Sequence, residues 1–165
     1  MTEALPIVHT GGCQCGAVRF RVEGKLGTAS ICHCRMCQKA YGSFYAPLVD
    51  VPAKGFMWTR GLPRMFQSSN HVARGFCADC GTQLTYEAPG DSIAVSIGAF
   101  DNPDEIEPTI QYGTEAKLHY VDDLASLPKR ETLDDTQEAS FLKSIRSNQH
   151  PDHDTAEWPA KERRK

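Results

Sequence analysis

The sequence predicts a mainly β fold in which clustered cysteines hold short strands together. Residues 17–23 alternate apolar and charged side chains, which is the pattern of a half-buried strand. Further short apolar segments follow, with Gly, Pro, Asn or Asp between them. All seven cysteines lie within the first 80 of the 165 residues and fall into three tight groups. The predicted β region is therefore also the region that the cysteines can cross-link.

The individual strands follow in chain order from this alternation and from the turn residues. Val18, Phe20 and Val22 alternate with charged neighbours, and residues 24–27 form a turn after them. Residues 35–41 are the locally helical stretch within the β region, so a short helix is expected after the central cysteine motif. The predicted strands are 17–23, 28–34, 44–49, 56–58, 72–76, 83–87 and 92–97.

A change of composition near residue 125 divides the chain. Residues 1–8 are predicted as a leader and residues 9–125 as the cysteine-containing domain. Residues 126–165 are predicted as a polar tail, partly helical or mobile. Within this tail, residues 134–146 can be drawn as an amphipathic helix. Its apolar face consists of Phe141, Leu142 and Ile145.

Charge and hydropathy exclude several classes of partner. The chain has 18 Lys and Arg against 21 Asp and Glu, a net charge of −3, and a mean hydropathy of −0.44. Nucleic-acid binding is not expected, because no surplus of cations can displace phosphate counterions. Membrane insertion is not expected either, because no stretch approaches the roughly 20 apolar residues of a spanning helix. The N-terminus lacks the features of a signal peptide, so we expect a cytoplasmic protein.

The cysteine spacings indicate metal binding. The three groups are Cys13-x-Cys15, Cys32-x-Cys34-x-x-Cys37 and Cys77-x-x-Cys80. An odd number of cysteines fits poorly with a closed set of disulfides, and a reducing compartment disfavours disulfides. Thiols two and three residues apart are typical of zinc sites.

Seven ligands divide naturally into four and three. Cys13, Cys15, Cys77 and Cys80 are predicted to form a closed structural zinc site, since two such pairs complete a tetrahedron. Cys32, Cys34 and Cys37 then remain for a second ion whose fourth position is open. In an alternative arrangement, Cys34 and Cys37 join Cys77 and Cys80 in a zinc-ribbon site, and the other three cysteines are spare.

Three linked motifs resemble the glutathione-dependent formaldehyde-activating enzyme family, which includes centromere protein V. The motifs are residues 12–20, 32–44 and 75–84, and the similarity spans about residues 9–121. The resemblance implies a β-tent fold of short antiparallel sheets pinned by two zinc ions. It also implies that Cys13, Cys15, Cys77 and Cys80 hold the structural ion and that Cys32, Cys34 and Cys37 hold the catalytic one. This favours the division into four and three over the zinc ribbon.

The function expected from this resemblance is that of a zinc-dependent carbon–sulfur lyase like S-(hydroxymethyl)glutathione synthase. Its partners are then a small thiol such as glutathione and a small aldehyde such as formaldehyde. One alternative is a non-catalytic zinc-stabilised binding module, and another is a thiol or redox sensor that uses the three central cysteines.

Several further side chains are candidates for supporting roles. Tyr41, Ser43 and Tyr45 follow the central motif closely enough to line the open position. His33 is expected to face away from its two cysteine neighbours, because adjacent strand residues point to opposite sides. Arg19 and Arg21 are expected on the polar face of their strand, where either can meet an anionic thiol.

Overall fold

The computed structural model describes residues 7–132 and 139–158. Ten strands lie in this part of the chain, and the prediction of a mainly β fold with short sheets is confirmed. The strands are β1 (Val8–Gly12), β2 (Arg19–Glu23), β3 (Ala29–Cys32), β4 (Ala46–Pro52), β5 (Phe56–Arg60), β6 (Arg64–Gln67), β7 (Ala73–Phe76), β8 (Gln83–Glu87), β9 (Ser92–Ser96) and β10 (Ile110–Tyr112).

The strands form two sheets. The smaller sheet has the antiparallel order β1-β2-β5. The larger sheet has the order β10-β3-β4-β9-β8-β7-β6, in which β10 runs parallel to β3 and the remaining pairs are antiparallel. Pro47 lies on β4, opposite Ile31 of β3. The pairing of β4 with β9 begins one residue later, at Leu48, so the missing amide hydrogen of Pro47 interrupts no hydrogen bond to β9.

Helices are few and short. Helix α1 (Arg35–Tyr41) confirms the predicted helix after the central cysteine motif, and it ends at Gly42 in the left-handed region. The 3-10 turns are Ala53–Gly55, Ile97–Ala99, Pro103–Glu105, Thr114–Ala116 and Val121–Ser126. Within residues 7–132 and 139–158, no helix has the length and apolar character needed to cross a bilayer.

The core lies between the two sheets and is centred on Phe20, which is fully buried. Its ring stacks on Phe56 at a centroid distance of 5.6 Å and meets Phe100 edge-on at 5.1 Å. Trp58 also meets Phe20 edge-on, at a centroid distance of 6.2 Å. Both aromatic residues of β5, Phe56 and Trp58, therefore pack against the core. A second, smaller cluster packs Cys37 of α1 against Ala46 and Leu48 of β4.

Three strands were not anticipated from the sequence. Strand β1 begins at Val8, inside the predicted leader, whose first six residues lie outside the described part. Strands β6 and β10 are the two edges of the larger sheet, and every residue in both is exposed. Edge strands of this kind lack the alternation that a buried face imposes, so the pattern that revealed the central strands was absent.

The tail contains a short helix, as the fold prediction expected. Helix α2 (Ala139–Ser144) falls within the amphipathic segment 134–146, of which residues 134–138 lie outside the described part. Phe141 and Ile145 are 66% and 56% exposed, so the predicted apolar face is not buried against the domain. Residues 148–158, by contrast, pack onto the domain, as described below.

Candidate metal centres and the adjoining cavity

Cys13, Cys15, Cys77 and Cys80 come together in a four-thiol cluster. Their Sγ atoms lie within 4.8 Å of one another, with 3.6 Å between Cys13 and Cys15 and 3.8 Å between Cys15 and Cys77. The first pair follows β1 of the smaller sheet, and the second pair follows β7 of the larger sheet. The cluster therefore joins the two sheets.

Two similar turns aim these thiols at one point. The amide of Gly16 donates to the carbonyl of Cys13 at 3.0 Å, and the amide of Gly81 donates to the carbonyl of Cys77 at 2.9 Å. Both glycines have φ near +80°, at 79° and 80°. A residue with a Cβ adopts this left-handed conformation only at a cost, so glycine lets each turn close behind its cysteines.

The four thiols differ in acidity. Burial opposes ionisation of Cys80, but hydrogen bonds from the hydroxyl and amide of Thr82 outweigh it and lower its pKa to about 6. Burial raises the pKa of Cys15 and of Cys77 to about 11, and it raises the pKa of Cys13 as well. One thiol ionises readily, and a bound cation must displace the protons of the other three.

The end of the described chain packs against this cluster. The amide of His150 donates to the carbonyl of Gln14 at 2.7 Å, and the indole Nε1 of Trp158 donates to the carbonyl of Cys15. His150 is 4% exposed. A Cβ on Gly16 would lie 2.3 Å from the His150 ring, so the glycine also makes room for this contact. The composition of the tail gave no sign of these contacts.

The position of Arg19 corrects a prediction from the sequence. Its side chain is 3% exposed and pairs with Asp101 at 2.6 Å and with Asp154 of the tail at 2.8 Å. Burial opposes ionisation of Asp101, but hydrogen bonds from Arg19 and Thr10 hold its pKa below the usual value. Arg19 is therefore committed to two carboxylates and does not face an incoming thiol, whereas Arg21 pairs with Glu23 at the surface.

Cys32, Cys34 and Cys37 form a separate three-thiol cluster, with all Sγ atoms within 4.8 Å of one another. Cys32 is the last residue of β3, and Cys34 caps the N-terminus of α1, where its Sγ lies 3.5 Å from the amide of Cys37. Helix geometry returns Cys37 to its partners one turn later. The zinc-ribbon arrangement of Cys34 and Cys37 with Cys77 and Cys80 is not the grouping found.

The acidity of these three thiols also varies. Burial raises the pKa of Cys32 to about 12. Burial opposes ionisation of Cys34, but hydrogen bonds from the amide of Cys37 and from neighbouring thiols outweigh it and lower its pKa. For Cys37, burial raises the pKa and outweighs the hydrogen bond from Arg74. This cluster, like the first, combines one thiol of lowered pKa with others of raised pKa, whose protons a bound cation must displace.

Arg74, on β7, is a cation buried beside the three thiols. It is 3% exposed, its Nη2 donates to Cys37 Sγ at 3.3 Å, and its Nε donates to Ser68 Oγ at 3.1 Å. The guanidinium lies over the ring of Tyr86, 4.8 Å from the centroid. Its Nη1 is buried and has no hydrogen-bond partner among the described residues. Leaving such a group unpaired costs about 1–3 kcal/mol.

A cavity of about 260 Å³ opens at the three-thiol cluster. All three cysteines and Arg74 lie in its wall, so the thiols face space that a small molecule can enter. Charged and aromatic groups are present, as well as apolar ones. The other lining residues are Ser30, Met36, Leu48, Asp50, Tyr86, Ala94 and Tyr112.

A second depression, of about 360 Å³, lies beside this cavity, and we call it the α1 groove. Met36 and Arg74 line both spaces, so the two are neighbours on either side of these side chains. The remaining residues of the α1 groove are Lys39, Ala40, Phe66, Ser68, Phe76 and Gln83.

The other residues singled out from the sequence lie outside the cavity lining. The Tyr41 hydroxyl lies 2.7 Å from Ser96 Oγ, and burial raises its pKa to about 12. Ser43 is exposed, and Tyr45 meets the ring of His33 edge-on at 5.7 Å. His33 is buried just after β3, with Nε2 2.9 Å from Gln111 Oε1, and it belongs to neither thiol cluster.

Four residues of the cavity lining were not predicted from the sequence, namely Asp50, Arg74, Tyr86 and Tyr112. One of them did carry a signal: Arg74 is a charged residue between Ala73 and Gly75 in an otherwise uncharged strand. Such a residue is buried only when it has a partner. The partner, Cys37, is 37 residues away in sequence, and only the pairing of the strands brings the two together.

Both clusters fit a zinc ion. Zn–S bonds of about 2.3 Å in a tetrahedron place neighbouring sulfurs about 3.8 Å apart. The separations of 3.6 Å and 3.8 Å in the four-thiol cluster agree with this value. The donors of both clusters are thiols, the soft ligands that zinc accepts in structural sites. Two groups that can bind metal ions are therefore present, and their chemistry suits zinc.

Comparison with known proteins places this fold and these clusters in context. A crystal structure of a Rhodobacter sphaeroides protein matches with a TM-score of 0.51 at 21% identity, covering 62% of this chain and 98% of the other, and so shows a shared fold. The family model described as "Glutathione-dependent formaldehyde-activating enzyme" matches residues 8–116, about two thirds of the chain. The chain therefore belongs to the glutathione-dependent formaldehyde-activating enzyme family.

Proposed function

We propose that the protein is a zinc-dependent carbon–sulfur lyase that acts on a small thiol–aldehyde adduct, in the manner of S-(hydroxymethyl)glutathione synthase. One observation carries the proposal: Cys32, Cys34 and Cys37 converge on a cavity of about 260 Å³. A set of three protein ligands leaves a coordination position for a substrate, whereas a set of four does not. Family membership supports the same substrate class, glutathione and formaldehyde.

The two clusters take different parts in this proposal. Cys13, Cys15, Cys77 and Cys80 hold a structural zinc that ties the sheets together. Structural zinc of this kind contributes on the order of 10–16 kcal/mol of apparent binding free energy, which is folding free energy for a small domain. Cys32, Cys34 and Cys37 hold a second zinc, which when bound supplies a Lewis acid that favours the thiolate form of an incoming thiol.

The protein's own residues contribute position and charge. The cavity walls hold the thiol and the aldehyde side by side, so that their reaction becomes effectively unimolecular instead of bimolecular. In the direction of cleavage, the carbon–sulfur bond breaks, its electron pair stays on sulfur, and the hydroxyl proton of the adduct must leave. Asp50 is an acidic side chain in the cavity lining that can accept this proton.

Two cysteine variants test the assignment. Cys34→Ser is expected to abolish turnover of the hydroxymethyl-thiol adduct while the protein stays folded, because only the second site loses a ligand. Cys80→Ser is expected to unfold the protein, because the structural site loses a ligand and the link between the sheets. Turnover assays and circular dichroism of both variants check these outcomes. Full activity of Cys34→Ser contradicts the proposal.

Metal analysis separates this function from the alternative of a binding module. The lyase is expected to hold two zinc ions per chain, with added thiols loosening one of them, since that ion has an open position. One tightly held ion and no exchange with thiols would support a non-catalytic module. Because all seven cysteines are free in the structure, a reducing compartment suits the chain, and we propose a cytoplasmic location.

A further inference from the structure

The end of the described chain is hydrogen-bonded to the turn that carries the first two thiols of the four-thiol cluster. We call residues 148–158 the strap. The amide of His150 donates to the carbonyl of Gln14 at 2.7 Å, and the indole Nε1 of Trp158 donates to the carbonyl of Cys15. Two neighbouring carbonyl groups of the turn are therefore held by the strap.

Arg60, the last residue of β5, connects the strap to the same turn. Its Nη1 donates to the carbonyl of Gly16 at 3.2 Å, and its Nη2 donates to the carbonyl and the hydroxyl of Thr155 in the strap. Because the guanidinium is planar and rigid, it fixes these two partners relative to each other. The carbonyl groups of residues 14–16, three in succession, thus accept hydrogen bonds from the strap or from the arginine that holds it.

The strap lies beyond residues 8–116, which the family model matches. Two arginines of the matched region nevertheless bind it, Arg19 through Asp154 at 2.8 Å and Arg60 through Thr155. Its contacts with the cysteine turn are thus a feature of this chain outside the part that defines its family.

A held carbonyl also fixes the direction of the amide in the same peptide unit. The unit is planar, and in its trans form the C=O and N–H bonds point in opposite directions. The first such unit joins Gln14 to Cys15. Its carbonyl accepts from His150, and its amide hydrogen-bonds to the sulfur of Cys80. The strap therefore holds this amide toward a thiol of the cluster.

The peptide unit that joins Gly16 to Ala17 is arranged in the same way. Its carbonyl accepts from Arg60, and its amide hydrogen-bonds to the sulfur of Cys15. Amide hydrogens directed at sulfur favour the thiolate, which is the form that binds a metal. Outer groups that orient the ligands of a metal commonly change its affinity 10–100-fold.

We propose that the strap and Arg60 are positioning elements of the four-thiol metal site, which hold amide hydrogens on its thiolates and so slow the loss of a bound zinc ion. This inference rests on the part of the proposed function that assigns zinc to the four-thiol cluster, and it does not depend on the lyase reaction. Arg60 acts through the peptide units of the turn and does not itself bind the metal.

The first test is the rate of zinc release to a coloured chelator. It uses the full-length chain with Cys34→Ser, in which only the four-thiol site keeps all its ligands. Adding Arg60→Met is expected to speed release about tenfold or more. The matched control is Arg21→Met, which removes an arginine that pairs with Glu23 at the surface and is expected to leave the rate unchanged.

A second pair of variants uses the two tryptophans of the chain. Trp158→Phe removes the indole donor to Cys15 and keeps an aromatic ring. It is expected to speed release about threefold, the effect of one ordinary hydrogen bond. The effect is smaller because the amide of this peptide unit donates to the carbonyl of Cys13 and not to a sulfur. Trp58→Phe, the same substitution in the core, is the control.

A spectroscopic measurement separates positioning of the amides from a general loosening of the fold. The wild-type chain and Arg60→Met are loaded with cadmium-113, a soft divalent cation that binds thiolates, and studied by NMR. The cadmium resonance depends on the electron density of the bound sulfurs. In Arg60→Met the resonance of the four-thiol site is expected to shift, whereas that of the three-thiol site stays in place.

The outcomes distinguish the inference from the function on which it rests. Unchanged release in Arg60→Met, or an equal change in Arg21→Met, overturns the role of the strap and leaves the zinc assignment standing. Faster release without a shift of the four-thiol resonance overturns it too, because loosening alone would explain the rate. Failure of the wild-type chain to hold zinc at the four-thiol cluster overturns both. Should Arg60→Met fail to fold, Trp158→Phe and Trp58→Phe decide by the same two measurements.

Discussion

Gly113 determines how closely the loop after β10 approaches the three-thiol cluster. Its φ is 63°, and a Cβ built on it would lie 2.8 Å from the backbone nitrogen of Cys34 and 3.1 Å from its Cβ. Real Cβ atoms do not come this close to backbone, so any side chain at Gly113 must displace Cys34. Gly42, with φ of 57°, has open space where its Cβ would be.

These two glycines form a matched pair for experiment. Gly113→Ala and Gly42→Ala both carry the left-handed backbone penalty of about 1–2 kcal/mol. Only Gly113→Ala is expected to lose zinc from the second site as well, because it alone moves a proposed ligand. Zinc content per chain and urea unfolding of both variants check this. Equal zinc content in the two variants would show that the contact with Cys34 does not control the site.

At the scale of the element, strand β2 places two arginines in opposite environments. Arg19 is buried between Asp101 and Asp154, whereas Arg21 pairs with Glu23 at the surface. Both residues occupy charged positions of the same alternating segment, and the sequence pattern treats them alike. The two arginines differ because segments distant in sequence pack over Arg19. One of these segments is the tail, which contributes Asp154.

Arg19→Met is expected to destabilise the protein by about 3–5 kcal/mol, because it leaves Asp101 buried without its cation. Arg21→Met is the control and is expected to change stability by less than about 1 kcal/mol, since exposed ion pairs contribute little. Urea denaturation of both variants measures the difference. Similar midpoints would mean that the buried pair contributes no more than the exposed one.

At the scale of the whole molecule, two thiol clusters lie at the junctions between elements of a three-stranded and a seven-stranded sheet. The four-thiol cluster joins the smaller sheet to the larger, and the three-thiol cluster joins β3 to α1 at one side of the larger sheet. The pKa of Cys32 is raised to about 12 and that of Cys15 and Cys77 to about 11, in each case first by burial. At neutral pH these thiols keep their protons unless a metal replaces them.

Zinc binding is therefore expected to release protons and to weaken as the pH falls, because protons then compete for the same sulfurs. Between about pH 8 and about pH 5 the two ions should leave in separate steps, with the three-thiol site first because it has one ligand fewer. Zinc released to a coloured chelator measures the steps, and Cys34→Ser should show only the second. Release of both ions in one step would contradict this order.

The sequence by itself determined the features that depend on residues close together in the chain, namely the metal-ligand candidates and most of the central strands. Cysteines two and three residues apart identified the potential ligands, since such spacing brings thiols to one turn of chain, and alternation identified β2 and most central strands. The family resemblance, carried by the same motifs, is confirmed by the match over residues 8–116.

Only the tertiary structure decided which distant groups meet. Spacing left open whether Cys77 and Cys80 join Cys13 and Cys15 or the central cysteines, and sheet pairing resolved it. Arg74 reaches Cys37, and Trp158 reaches Cys15, across separations of 37 and 143 residues. Contacts of this range depend on strand order and burial, which follow from the packing of the whole chain and leave no periodic trace in any one segment.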